Sequence, residues 1–125
     1  MMKTTLLIFL INLLLISNDP TQINAKFESK NFVFKASEVK NKTIKRTFTF
    51  KNAGKKSIKI IAVNPSCSCT APTYSTNSIK PNAEGFIELS TTIEQLKRVH
   101  EVDAVVKIGD GTNHQFYNLS IAYAK

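Results

Sequence analysis

In Ile44-Lys45-Arg46-Thr47-Phe48-Thr49-Phe50-Lys51-Asn52-Ala53-Gly54, large side chains at 44, 46, 48 and 50 alternate with Lys and Thr. A period of two, built from aromatic and β-branched residues, is the pattern of a strand with one buried face. Asn52-Ala53-Gly54-Lys55 then supplies a turn, because Asn and Gly tolerate positive φ. Strand character resumes over residues 57–63, where Ile58, Ile60 and Ile61 are apolar and a bulge would let Val63 also point inward. So short a connection predicts that the two strands form an antiparallel pair.

Similar alternation continues in both directions. Upstream lie Phe32-Val33-Phe34-Lys35, preceded by Phe27 and followed by a polar loop over residues 36–43. Downstream, Ile87, Leu89, Thr91 and Ile93 form one strand face, Val102, Ala104, Val106 and Ile108 another, and Tyr117, Leu119, Ile121 and Tyr123 the last. Lys80-Pro81-Asn82-Ala83-Glu84-Gly85 and Gly109-Asp110-Gly111 read as turns. Residues 66–79 read as an irregular crossing with a short strand at most near Tyr74, and residues 94–101 as a loop. Six strands and a short seventh, spaced by turn signals, predict an all-β antiparallel sandwich. Its expected core is Phe34, Phe48, Phe50, Ile58, Ile60, Ile87, Leu89, Val106, Leu119 and Ile121.

The N-terminus is built differently. Lys3 precedes an apolar run over residues 6–16, and polar residues follow it, the arrangement of a secretory signal peptide. The run is short for a membrane span, and cleavage after Ala25 would leave a chain with no stable span; an uncleaved membrane anchor is the alternative reading. The expected organisation is a leader over residues 1–25 and one domain over residues 26–125, exported to the periplasm or cell surface. A domain of this size buries one core.

Charge is uneven within the 125 residues, whose net charge is +8. Residues 26–59 hold eleven Lys/Arg against Glu28 and Glu38, whereas residues 60–125 hold five bases against six acids. In an exported chain, a basic half suits an acidic protein, an anionic cell-surface polymer or lipid headgroups rather than nucleic acid. A solvated lysine-rich surface that discourages edge-to-edge aggregation accounts for the same charge.

Asn64-Pro65-Ser66-Cys67-Ser68-Cys69-Thr70-Ala71-Pro72 holds both cysteines. Two extended residues span ~6.6 Å with side chains on one face, so a disulfide between them requires a turn at Ser68. Three readings stay open: a disulfide or redox dithiol, a soft-metal site for Cu(I) with Cys67, Cys69 and His100, and buried cysteines without chemistry. Alternating strand direction places this loop at the same end as residues 36–43 and 94–101, and so near Lys40, Lys42, Lys97 and Arg98. His114 belongs at the opposite end. There is no phosphate-binding loop, no His-Glu-x-x-His and no nucleophile elbow, so neither an enzyme nor a cofactor is expected.

The order Phe48-Thr49-Phe50-Lys51-Asn52-Ala53-Gly54, Pro65-Ser66-Cys67-Ser68-Cys69-Thr70, Ile79-Lys80-Pro81 and Gly85-Phe86-Ile87-Glu88-Leu89 resembles the exported bacterial domain-of-unknown-function family 1573. That family's signature is a Phe-x-Asn-x-Gly turn, then Cys-Gly-Cys-Thr, then Pro-Gly before a strand. The resemblance covers residues 32–123. It implies an immunoglobulin-like sandwich similar to Hydin and major-sperm-protein domains, and no established reaction. Ser68 stands where the signature has the central Gly, and Asn82 where it has the Gly after Pro. If the first position needs positive φ, Ser68 is the costlier departure. The expected function is a non-catalytic interaction or structural module. The alternative is a thiol-redox or Cu(I)-handling protein working through Cys67 and Cys69.

Overall fold

The computed structural model describes residues 22–35 and 42–124. Residues 1–21 of the expected leader, Lys40 and most of the 36–43 loop lie outside them. The described chain forms β1 (Ala25–Phe27), β2 (Asn31–Lys35), β3 (Thr43–Asn52), β4 (Lys59–Pro65), β5 (Ala71–Tyr74), β6 (Glu84–Thr92), α1 (Ile93–Val99), β7 (Glu101–Gly109) and β8 (His114–Ala124). Two four-stranded sheets, ordered β1-β3-β6-β5 and β2-β8-β7-β4, enclose one core. This is the expected all-β, immunoglobulin-like sandwich.

Three local expectations need correction. First, β3 and β4 do not pair: β3 lies between β1 and β6, while β4 pairs with β7 in the other sheet. Residues 53–58 therefore cross from one sheet to the other rather than close a hairpin. Second, the pairing is not wholly antiparallel. β1 runs antiparallel to β3, but the chain then changes sheets without reversing, and β2 pairs in parallel with β8 from Asn31↔Ser120 to Lys35↔Ala124. Aromatic contacts hold this transfer, with Phe27 against Phe50 and Tyr117, and Phe32 against Phe48.

Third, residues 93–99 form a helix. Thr92 caps it by accepting a hydrogen bond from the Gln95 N–H at 3.2 Å, and Glu94 opens it where an acid suits the helix dipole. Lys97 and Arg98 occupy its last turn, and His100 closes it in the left-handed conformation at φ 68°. Leu96 is fully buried, sealing one end of the sandwich. Thr92-x-x-Gln95 has the sequence pattern of a capping box, of which the Thr92 half forms, and it is the signal in the sequence that marks this helix.

All ten expected core residues are buried, joined by Ile44, Leu96, Val102, Ala104 and Ile108 among others. The bulge falls between Ile60 and Ala62, leaving Ile61 exposed and turning Val63 inward. Arg46 occupies an inward position on β3, and its guanidinium lies 4.1 Å from the centre of the Phe34 ring.

Asn52 decides how the two sheets are joined. Its side chain is fully buried, and Nδ2 donates to the carbonyls of Lys56 (2.8 Å) and Ile79 (2.9 Å). Oδ1 accepts from the Gly54 N–H at 3.0 Å, so the amide uses both donors and its acceptor. The backbone N–H of Asn52 donates to Ala83 O, and the Asn82 N–H donates to Asn52 O. Thr91 is the opposite case, because its buried hydroxyl has no partner among the described residues.

These two buried polar groups predict opposite outcomes. Asn52→Ala loses three hydrogen bonds and strands two carbonyls, and it should cost about 3 kcal/mol in urea unfolding. Thr91→Val keeps the shape and removes an orphaned hydroxyl, and it should raise stability by about 1 kcal/mol in the same measurement. Equal, small effects at the two positions would contradict this account.

Candidate functional site

The cysteine stretch spans the gap between two sheet edges. β4 is an edge of one sheet and β5 an edge of the other, and residues 66–70 connect them. Pro65 and Pro72 lie in these edge strands, where a missing N–H is tolerated and makes the edge a poor template for further pairing. The crossing is anchored on β7: the Ser66 N–H donates to Asp103 O at 2.7 Å, and the Asp103 N–H donates to Ser66 Oγ at 3.1 Å. A turn follows, with the Thr70 N–H donating to Cys67 O at 3.2 Å.

Cys67 and Cys69 are joined as a disulfide, with Cα atoms 5.1 Å apart. The turn expected at Ser68 is present without a positive φ there. The left-handed position is Asn82, at φ 69°. The departure from glycine that occupies a demanding conformation is thus Asn82, not Ser68, and Asn tolerates it best after Gly. Both sulfur-bearing residues are half-buried between exposed Ser66 and Ser68 and buried Thr70. The Cys69 N–H donates to Cys67 Sγ at 3.1 Å, and Thr70 Oγ1 lies 3.8 Å from Cys69 Sγ. A closed loop of three residues contributes roughly 1.6 kcal/mol of chain-entropy stabilisation, about half that of a 15-residue loop.

Of the expected site residues, Lys42, Lys97, Arg98 and His100 all lie at this end. The Lys42 carbonyl accepts the Ile93 N–H at 2.8 Å, which fixes Lys42 at the start of α1. Lys42, Lys97 and Arg98 are exposed. His100 serves as a helix cap, donating its N–H to Leu96 O and accepting from the Tyr123 N–H, each at 2.8 Å. With both sulfurs bonded to each other, the Cys67, Cys69 and His100 set offers no thiolate. Among the described residues, no group of three or more His, Cys, Asp or Glu is arranged to hold a metal ion. His114 lies at the opposite end, paired with Gly109 and edge-on to Phe116. That end also carries an open cleft of about 410 Å³ lined by Tyr74, Asn77, Ile79, Glu84 and Phe86.

The sequence reading passed over Ser66, Thr70, Glu101 and Asp103. Ser66 and Thr70 flank the cysteines and bond to the loop, so the motif itself was their signal. Glu101 and Asp103 have none, because their importance comes from β7 lying beside the crossing. They share the outer face of β7, and the Glu101 carboxyl is raised above its ordinary range. Its hydrogen bond with the Asp103 side chain is the main cause, followed by that group's charge and by slight desolvation.

A raised acid contributes stability that is fully present below its unfolded pKa and lost as pH rises through the folded value. Glu101→Gln should therefore melt higher than the parent at pH 7, with the gain disappearing at pH 3. A gain of the same size at both pH values would show that the carboxylate pair is not its source.

The fold is similar to that of two solved structures. One is a protein of unknown function from Porphyromonas gingivalis W83, with TM-score 0.57 and 12% identity, covering 85% of this chain and 50% of that one. The chain thus spans half the length of that protein. The other is WR4, a C. elegans member of the MSP family, with TM-score 0.58 and 8% identity, covering 83% of this chain and 99% of that one. Identities this low bear on the fold alone. No curated protein matches the chain. Residues 25–122 match the family described as protein of unknown function (DUF1573), and the chain belongs to that family.

Proposed function

We propose that this protein is an exported, non-catalytic binding module whose basic end engages an acidic protein or an anionic cell-surface polymer. The observation that carries the proposal is the gathering of exposed Lys42, Lys97 and Arg98 at one end of a rigid sandwich. These residues come from two segments far apart in sequence, and the Lys42–Ile93 backbone hydrogen bond joins the two segments at this end. Lys45, outward on β3, extends the cationic surface from that end. Loops carried on a sandwich suit recognition, because the sheets hold them in place while the loop sequence varies. Cations on exposed side chains act mainly on encounter rate and partner choice, and that action weakens with salt.

Export remains part of the proposal and concerns residues 1–25. Ile23 and Ala25 are buried, and Ala25 pairs with Asn52 in β1. A mature chain beginning at Lys26 would forfeit those contacts, so cleavage on the N-terminal side of Ile23 fits the core better than cleavage after Ala25.

Binding to an anionic polysaccharide such as heparin tests the central claim. Retention should fall at least tenfold between 50 and 300 mM salt, and by a similar factor in a Lys42→Glu, Lys97→Glu, Arg98→Glu variant that melts like the parent. Retention indifferent to both changes would remove electrostatic recognition by this end.

A further inference from the structure

We infer that the Cys67–Cys69 disulfide is an exchange site that accepts two electrons from an exposed protein dithiol, with Cys69 the sulfur attacked and Cys67 the leaving thiolate. This inference stands apart from the binding proposal: the loop shares the cationic end, but the direct donors to the sulfurs are the Cys69 N–H and the Thr70 hydroxyl, not its lysines or arginine.

The first argument is redundancy. Ser66 holds one side of the crossing to Asp103 through two hydrogen bonds, and the Thr70 N–H to Cys67 O bond closes the turn. Beyond the turn, β5 is paired with β6 from Ala71↔Ser90 onward. The loop is therefore held by hydrogen bonds that involve no sulfur, and a three-residue ring adds little constraint to the unfolded chain. A cross-link placed mainly for stability would close a longer loop.

The second argument is the polar surroundings of the two sulfurs. The Cys69 N–H points at Cys67 Sγ from 3.1 Å, and the nearly buried Thr70 hydroxyl lies 3.8 Å from Cys69 Sγ. Both donors can serve a thiolate better than a disulfide sulfur, so they favour the reduced, ionised state. The shorter contact belongs to Cys67, which makes it the better leaving group. The charged groups of neighbouring elements are Asp103 and Glu101 on β7, which oppose a thiolate, and Lys42, Lys97 and Arg98, which favour one. All five are exposed, so water weakens their action relative to the direct donor.

The chemistry balances in two steps. A partner thiolate attacks Cys69 Sγ, forming a mixed disulfide as the Sγ–Sγ bond breaks, and the electron pair leaves on Cys67. The partner's second thiol, as thiolate, then attacks its own sulfur in the mixed disulfide and releases Cys69 as a thiolate. The partner ends as a disulfide, having lost two electrons. Its two protons are available to Cys67 and Cys69.

Two measurements test this. The oxidised protein is treated with reduced glutathione at pH 7, quenched in acid, and mapped by mass spectrometry. The disulfide should open without denaturant, with at least a tenfold excess of glutathione on Cys69 over Cys67. Thiolate absorbance at 240 nm is then titrated in the single variants. Cys67 in Cys69→Ser should ionise below the ordinary cysteine range of about 8.5 and below Cys69 in Cys67→Ser, while Thr70→Val should raise the Cys69 value. A disulfide that opens only in denaturant, an adduct mainly on Cys67, or a Cys67 thiol ionising at or above 8.5 would each overturn the inference. The wild-type mapping stands even if a variant folds poorly.

Discussion

The two sheets are held to a common frame by one buried amide. Asn52 ends β3 at the point where the chain must leave its sheet, and an unpaired polar group there would carry the full cost of desolvation. By bonding to Gly54, Lys56 and Ile79, its side chain satisfies backbone groups on both the outgoing connection and the 75–83 loop. Those bonds turn a chain direction that local sequence leaves open into a single crossing. Everything downstream inherits it: β4 joins β7, β5 joins β6, and the cysteine loop must bridge the edges between them.

This explains which parts of the fold were legible in sequence. Alternation identified the inward faces of β3, β6, β7 and β8, because a strand with one buried face writes its orientation into every second residue. It did not identify strand partners. The hairpin expected between β3 and β4 failed because Asn-Ala-Gly serves equally well in a tight turn and in a crossing, and the deciding contact is with Ile79, 27 residues away. Strand β1 was missed because three residues carry no period. Helix α1 was missed because seven residues hold too few turns for a periodic signal, although its cap was written in Thr92 and Gln95.

The site divides the same way. The cysteine pair and its need for a turn followed from spacing alone, and the end it occupies followed from alternating strand direction. The residues that control it did not, since Asp103 reaches Ser66 across 37 positions of sequence. The importance given to Ser68 also shifted to Asn82, because backbone angles belong to the folded chain and a motif reports only that a small residue is frequent there. His100 resembled a ligand in sequence and acts as a helix cap in the fold, where its backbone matters more than its imidazole.

The parallel pairing of β2 with β8 has a mechanical consequence. The first and last long elements of the domain run side by side in the same direction, so the chain enters the sandwich at one end and leaves at the other. Tension applied between the termini would load the five paired positions from Asn31↔Ser120 to Lys35↔Ala124 in shear. A ladder loaded along its length must yield its bonds together, whereas one pulled apart from an end yields them singly. Force along the strand axis therefore meets this pair in its more resistant direction.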